Sequence, residues 1–420
     1  MRILRRRGRV QGGASQDSPF RPLCRDHHDV GREQERQDLY KDMAGMKDSP
    51  FDTGNAMRRT NAGNMCGSVL KPFLILVTIL STSCVGTGVK NIREATLTKA
   101  RSGTAILITG AAARIPQEAA LLEELELRGL FKDVAFISGV SSGALNSVML
   151  NGILSGKMKW DEYKGILFKI KNDDIFIKRG NTVPVDTSSA RKLYTRIAEE
   201  RLGYSTIGDL PFVTAISITR LRDLGLQDTV YRMFSRQVNA ESDTSLSLVD
   251  ILMASSAVPL VFPSIHIRNV RTIPDVEYVD GGVKEDNIPY RALLEFEKFR
   301  GFGVEKVFII SKKSNDIPSV SEELKNLGIN DHQFFDKLGV SFDTIMNKKF
   351  EESLEEFAAS APDLVPAAYV YRPDFERNFL LFNFDNLEAQ YAETSRWAKL
   401  NDPKPLAEYL AKYRKKTGSK

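Results

Sequence analysis

Cysteine is scarce in this chain: Cys24, Cys66 and Cys84 are the only three among 420 residues, so nothing beyond position 84 can form a disulfide framework or a cysteine metal site. Histidine is equally sparse. His27, His28, His266 and His332 show no H-E-x-x-H or comparable ligand spacing, which argues against a metalloenzyme. An excess of charge of one sign is also missing from the body. Lys and Arg number 59 and Asp and Glu 54, and 14 and 9 of these precede Cys84, so the remaining 45 and 45 balance. A neutral body gives a nucleic-acid role no electrostatic support. No apolar run approaches the ~20 residues that span a bilayer. With 42% apolar residues the chain still has ample material for a sizeable core.

The first 56 residues are rich in Arg, Gln, Asp, Gly and Ser with little periodicity, and read as a disordered extension or one preceding a true start at Met46, Met57 or Met65. Residues 57–84 have the parts of a secretory signal: Arg58 and Arg59, a polar spacer, the apolar run Phe73 to Leu80, then Ser81-Thr82-Ser83-Cys84. The ending resembles the lipobox of bacterial lipoproteins, with Leu80 one position earlier than the usual leucine. The expectation is a secreted or cell-envelope protein, lipid-anchored through Cys84, with a short membrane-embedded anchor or a buried helix as the alternative. Residues 85–102 read as a linker, 103–400 as one catalytic domain, and 401–420 as a basic C-terminal helix or tail.

From Gly103 the pattern alternates between strands and helices. Thr104 to Thr109 reads as a strand, Gln117 to Leu127 as a helix, and Val134 to Ile137 as a buried strand. Further strands are expected over Phe212 to Ile218, Thr229 to Phe234 and Val307 to Ser311, with a helix from Ser247 to Ser255. Such alternation argues for a parallel sheet with helical crossovers.

Gly139-Val140-Ser141-Ser142-Gly143 follows the second strand and opens a helical run. A sharp strand-to-helix turn needs small neighbours and lifts a serine Oγ clear of the backbone, making Ser141 a candidate nucleophile. The first strand ends in Gly110-Ala111-Ala112-Ala113-Arg114, where small residues let amides turn toward an anion at the next helix's start. Tyr278-Val279-Asp280-Gly281-Gly282 places an aspartate at a strand end before a permissive turn. Held beside a serine, Asp280 could act as general base without histidine. Taken singly, each of the three segments is also an ordinary tight turn.

In this order, the three motifs resemble those of the patatin-like phospholipase family: a glycine-rich loop with Arg, then G-x-S-x-G, then D-G-G or D-G-A. Ala254-Ser255-Ser256-Ala257-Val258-Pro259, with Phe262-Pro263, is similar to the family's segment before the aspartate. The resemblance runs from about Gly103 to Pro289. It implies a three-layer α/β/α sandwich around a mostly parallel sheet and cofactor-free lipid acyl hydrolysis by a Ser141–Asp280 dyad. It further implies an oxyanion hole from the amides of Ala111, Ala112 and Ala113, and an Arg114 that stabilises this loop or meets a headgroup. The family usually has three consecutive glycines where Gly110-Ala111-Ala112 stands. If either alanine needs positive φ, the loop carries ~1–2 kcal/mol of strain.

Two other readings stay open. One is a Ser–Asp–His α/β-hydrolase using His332; the other is a non-catalytic lipid-binding or envelope scaffold with the same fold. The expected substrate is a lipid or membrane surface. Between Gly152 and Lys192, aromatic and basic residues alternate as in a lid or membrane-facing surface, though an ordinary core helix with snorkelling lysines fits too. The runs Glu351 to Glu356 and Arg414 to Lys416 read as solvated.

Overall fold

Thr104–Ile108, Thr-Ala-Ile-Leu-Ile, buries five side chains in succession, the mark of a strand covered on both faces. In the computed structural model this strand, β1, lies at the centre of a mixed sheet. The structure describes residues 100–418 except 179–181, 222–226, 269, 315–323, 326–327 and 329–341. The N-terminal extension, the signal-like segment with Cys84 and the linker to residue 99 lie outside the described residues, as does His332.

The elements follow in chain order: α1 (Ile115–Leu127), β2 (Val134–Gly139), α2 (Ser142–Leu154), α3 (Trp160–Leu167), α4 (Asn172–Ile175) and α5 (Ser188–Thr195), which runs into a π-helical turn at Arg196–Arg201. Next come β3 (Thr214–Leu221), β4 (Gln227–Phe234), α6 (Leu248–Ser255), β5 (Ile265–His266), β6 (Glu277–Asp280), α7 (Tyr290–Arg300) and β7 (Lys306–Ile310). The last are α8 (Phe342–Ser360), β8 (Ala368–Tyr371), α9 (Leu387–Leu400), β9 (Lys404–Pro405) and α10 (Leu406–Gly418).

Strands β3, β2, β1, β7 and β8 are parallel neighbours in that order. Antiparallel β4 and β6 pair with β3, β5 with β6, and β9 with β8. The expected strands and helices all form, with ends shifted by at most three residues. Period-two alternation sorts the core into layers. Ala105 and Leu107 of β1 pack with Leu293 and Phe296 of α7 and with Phe350 and Leu354 of α8. Ile106 and Ile108 face the other way, onto Leu121, Leu122 and Leu125 of α1. The result is the α/β/α sandwich, its sheet mostly parallel at the centre.

The C-terminal stretch forms a helix, α10, which buries Leu406 and Leu410, and β9 before it pairs with β8, so residues beyond 400 join the sheet's edge. One exposure differs from the sequence reading. Glu351, expected to be solvated, is half-enclosed on α8 by an ion pair 2.9 Å from the buried Arg372. Among the described residues no helix is long and apolar enough to cross a membrane, and no three His, Cys, Asp or Glu cluster as metal ligands.

Candidate active site

β2 and α2 are joined by two residues, Val140 and Ser141. Ser141 takes φ 57° and ψ −130°, a strained backbone for a side-chain-bearing residue. Packing holds it there. A Cβ on Gly139 would lie 2.2 Å from the Gly143 carbonyl oxygen, and one on Gly143 would lie 2.3 Å from that of Thr109. The two glycines of the pentapeptide are thus required by close backbone approach, between the elbow and the end of β1. The Ser141 amide donates to Ser255 Oγ at 2.9 Å, and Ser255 in turn donates to the Ser217 carbonyl at 2.8 Å. Ser255, at the end of α6, therefore pins the elbow to β3.

Asp280 ends β6, paired with Ile218 of β3. Its amide donates to the Ala257 carbonyl at 3.0 Å, and its Oδ1 accepts the Gly282 amide at 2.8 Å. A Cβ on Gly281 would come within 2.4 Å of the Ser217 carbonyl oxygen, so the turn lies tight against β3. The buried carboxylate lines the same cleft as Ser141. Burial pushes the Asp280 carboxyl up to about 6, partly offset by the nearby Ser141 hydroxyl, the bond from Gly282 and the charges of Lys312 and Lys349. A carboxylate raised this far is a better proton acceptor and still mostly ionised at neutral pH.

The alanine-rich loop departs from the sequence reading. Of the three amides assigned to an oxyanion hole, that of Ala111 donates to Ser142 Oγ at 2.7 Å and that of Ala113 to the Leu381 carbonyl at 2.8 Å. Both are committed to holding the loop, which leaves Ala112. A second amide, not singled out from the sequence, is that of Ser142, at the first position of α2, where a helix supplies no acceptor of its own. Ala112 does take positive φ, 46°, whereas Ala111 does not, at −134°. Replacing Ala112 by glycine should relieve this strain. Because glycine is also less ordered when unfolded, the net gain is only ~0.5–1 kcal/mol, readable as a raised Tm with ester hydrolysis retained.

Arg114 is fully buried, and its Nε donates to the Phe379 carbonyl at 3.0 Å. It therefore fastens the loop and is out of reach of a headgroup. Gln390 of α9 adds a bond from Nε2 to the Ala113 carbonyl at 2.8 Å. The region after residue 370, undistinguished as sequence, thus buttresses the site.

Behind the loop, Glu118 of α1 is wholly buried, accepting from Thr109 Oγ1 at 2.9 Å and Asn146 Nδ2 at 3.2 Å. Burial raises its carboxyl to about 8 against the pull of Lys312 and these two bonds, so it is largely neutral at pH 7. Between the unfolded value near 4.5 and the folded value near 8, the folded chain binds the extra proton. Stability must then fall as pH rises through that window. Glu118→Gln should flatten this decline in Tm-versus-pH scans while leaving the fold intact.

Two clefts meet at Ser141. The larger, about 680 Å³ including its open mouth, is mostly apolar, with Ile115, Leu145, Ile175, Met253 and Phe262 among its walls. The smaller, about 480 Å³, holds Asp280, Gly110, Gly282, Asn287 and Lys312. Ala112 and Val258 line both. Among the described residues no histidine lines either cleft. His266 sits at the sheet edge, its Nε2 2.7 Å from Asp275 and its Nδ1 3.5 Å from Glu277.

Residues 106–294 match the family model of patatin-like phospholipase. No functionally curated protein matches the chain. Among solved structures it is similar to VipD from Legionella pneumophila, at 11% identity and a TM-score of 0.35, with 72% of this chain and 67% of VipD covered. It is also similar to full-length ExoU of the Pseudomonas aeruginosa type III secretion system, solved in complex with SpcU. The identity there is 14% and the TM-score 0.27, with 64% of this chain and 60% of the other covered. The stretch that matches the patatin-like phospholipase model, residues 106–294, carries the serine elbow, the glycine- and alanine-rich loop and the aspartate.

Proposed function

We propose that this chain is a serine lipid acyl hydrolase working through a Ser141–Asp280 dyad. The observation that carries the reading is that Ser141, on its strained elbow, and the buried Asp280 carboxylate line the same cleft, beside a larger apolar cleft that Ser141 also lines. Serine needs a neighbouring base to become nucleophilic, and Asp280 fills that role. In the first half-reaction Ser141 Oγ attacks the acyl carbonyl while its proton passes to Asp280. The Ala112 and Ser142 amides receive the charge developing on the carbonyl oxygen, each worth ~2.7–4 kcal/mol of barrier where such a donor is lost. The acyl chain lies in the larger cleft and the alcohol leaves from the smaller. Asp280 returns its proton to the departing alkoxide, then deprotonates a water that frees the acyl group from Ser141.

Because only ionised Asp280 is a base, kcat/KM should fall tenfold per pH unit below about 6 and level off above it. Hydrolysis of acyl esters by the purified chain, followed as a pH profile, tests the reading. Absence of hydrolysis on every acyl ester would favour a lipid-binding scaffold. Export with lipid attached at Cys84 belongs to the same proposal and is tested by the mass of the mature N-terminus.

A further inference from the structure

The described residues expose five large apolar side chains, Leu127, Ile177, Leu260, Phe299 and Leu400, and two of these, Ile177 and Leu260, belong to segments that line the larger cleft. Ile177 follows Ile175, which lines the cleft, and pairs with Asp186 through both backbone bonds. The residue before Asp186, Val185, donates to the Val261 carbonyl at 3.0 Å, tying this ribbon to the loop that bears Leu260. In that loop Val258, Phe262 and Pro263 line the cleft, while Leu260 turns out to solvent. The Phe176 and Phe262 rings, 6.2 Å apart, lock the two segments from behind.

Leu260 is held at φ 69°, one of three positive-φ residues other than glycine among the described residues; the other two are Ser141 and Ala112 of the candidate site. A left-handed leucine costs ~1–2 kcal/mol and persists only where its surroundings enforce it. Here the strain keeps an aliphatic side chain in water beside the mouth of an apolar cleft.

Ile170 belongs to the wall of the larger cleft and also to a third cleft of about 1060 Å³ between α3, α4, α5 and the π-helical turn. Its rim carries Lys169, Arg196 and Arg201, against Glu162 and Asp174. Arg201 is paired with Glu162, and Asp174 accepts the Lys171 amide at 3.0 Å. Lys169 and Arg196 are exposed and have no acidic partner among the described residues. Apolar prongs at a cleft mouth and uncommitted cations beside it are complementary to acyl chains and anionic headgroups respectively.

We infer that the face formed by Leu260, Ile177, Lys169 and Arg196 docks this chain onto an anionic lipid surface, with the larger cleft opening toward the bilayer. The inference rests on the acyl hydrolase reading for the cleft's role, but its measurement does not require hydrolysis. The prongs enter the acyl region, the cations meet headgroups, and a lipid lifted from the bilayer passes between Ile177 and Leu260 toward Ser141.

The test is co-sedimentation of the full chain with phosphatidylcholine vesicles, with and without phosphatidylglycerol. Binding should require phosphatidylglycerol and weaken with salt. Lys169→Gln with Arg196→Gln should weaken it about 25-fold, at roughly fivefold per cation near an anionic surface. Leu260→Asn with Ile177→Thr should weaken it at least about tenfold through lost apolar burial. Asparagine tolerates the left-handed conformation, so this variant should keep or raise Tm while binding falls, which separates docking from folding. Hydrolysis of a water-soluble short-chain ester should be unchanged in both double variants. Undiminished vesicle binding in either variant, equal binding without phosphatidylglycerol, or a dimer in solution that covers this face would overturn the inference. If the unmodified chain hydrolyses no ester, the acyl hydrolase reading fails, and the vesicle comparison still decides the docking face.

Discussion

Ser141→Ala is expected to abolish acyl ester hydrolysis, lowering kcat/KM by about 10⁴-fold or more while the chain stays folded. The size follows from the role: without Oγ no acyl-enzyme forms, and only binding and the oxyanion amides remain to assist water, which elsewhere leaves a residual ~10³–10⁴-fold over the uncatalysed reaction. The fold should survive because the elbow is held by other contacts, the Ser255 bond to its amide and the close approach of Gly139 and Gly143. Alanine keeps Cβ and tolerates the same backbone as poorly as serine does. Losing the Ser141 hydroxyl removes one of the influences that favour ionised Asp280, so its carboxyl should titrate higher still instead of becoming an unpaired buried charge. Steady-state kinetics with circular dichroism on the same preparation separates loss of the nucleophile from loss of structure.

Asp280→Asn is expected to cost about 10²–10⁴-fold, mostly in kcat, since a general base contributes in the transition state far more than in substrate binding. Asparagine is isosteric and its carbonyl oxygen still accepts the Gly282 amide, so the turn before Asn287 is retained. What changes is polarity toward Ser141: an amide N–H faces Oγ where an acceptor stood. The limb near pH 6 should vanish from the residual activity. Stability moves the other way. Between the ordinary value of 3.8 and the folded value of about 6, the folded chain binds more protons than the unfolded chain, so Asp280 lowers stability as pH rises through that window. The asparagine variant lacks this decline and should melt higher than the unmodified chain at pH 7. A less active and more stable variant is the signature of a charge buried for function.

Much of this site is legible in the sequence because its demands are local. Gly139 and Gly143 announce the elbow, since only residues without Cβ allow β2, α2 and the end of β1 to meet there. The strand under Asp280 and the small-residue loop after Gly110 are read in the same way. The parts not legible depend on contacts between distant segments. Ser255, 114 residues from Ser141, looks like any serine at a helix end until α6 packs on the elbow. The commitment of the Ala111 and Ala113 amides needs Ser142 and Leu381 in place, and the latter comes from a stretch with no motif. Arg114 follows the family pattern, but only burial decides between its two expected roles. Lys312 is one of two adjacent lysines after β7 and carries no signal of the two buried carboxylates, Glu118 and Asp280, whose titration it influences.

The account stands on one chemical claim, that Ser141 carries the acyl group and Asp280 takes its proton. Rapid quench of the unmodified chain with a chromogenic acyl ester, followed by peptide mass spectrometry, measures this directly. The prediction is an acyl adduct on the peptide containing Ser141, formed more slowly as pH drops below about 6 and barely formed in Asp280→Asn. An adduct on another residue, or one that forms on Ser141 at an undiminished rate in Asp280→Asn, would contradict it.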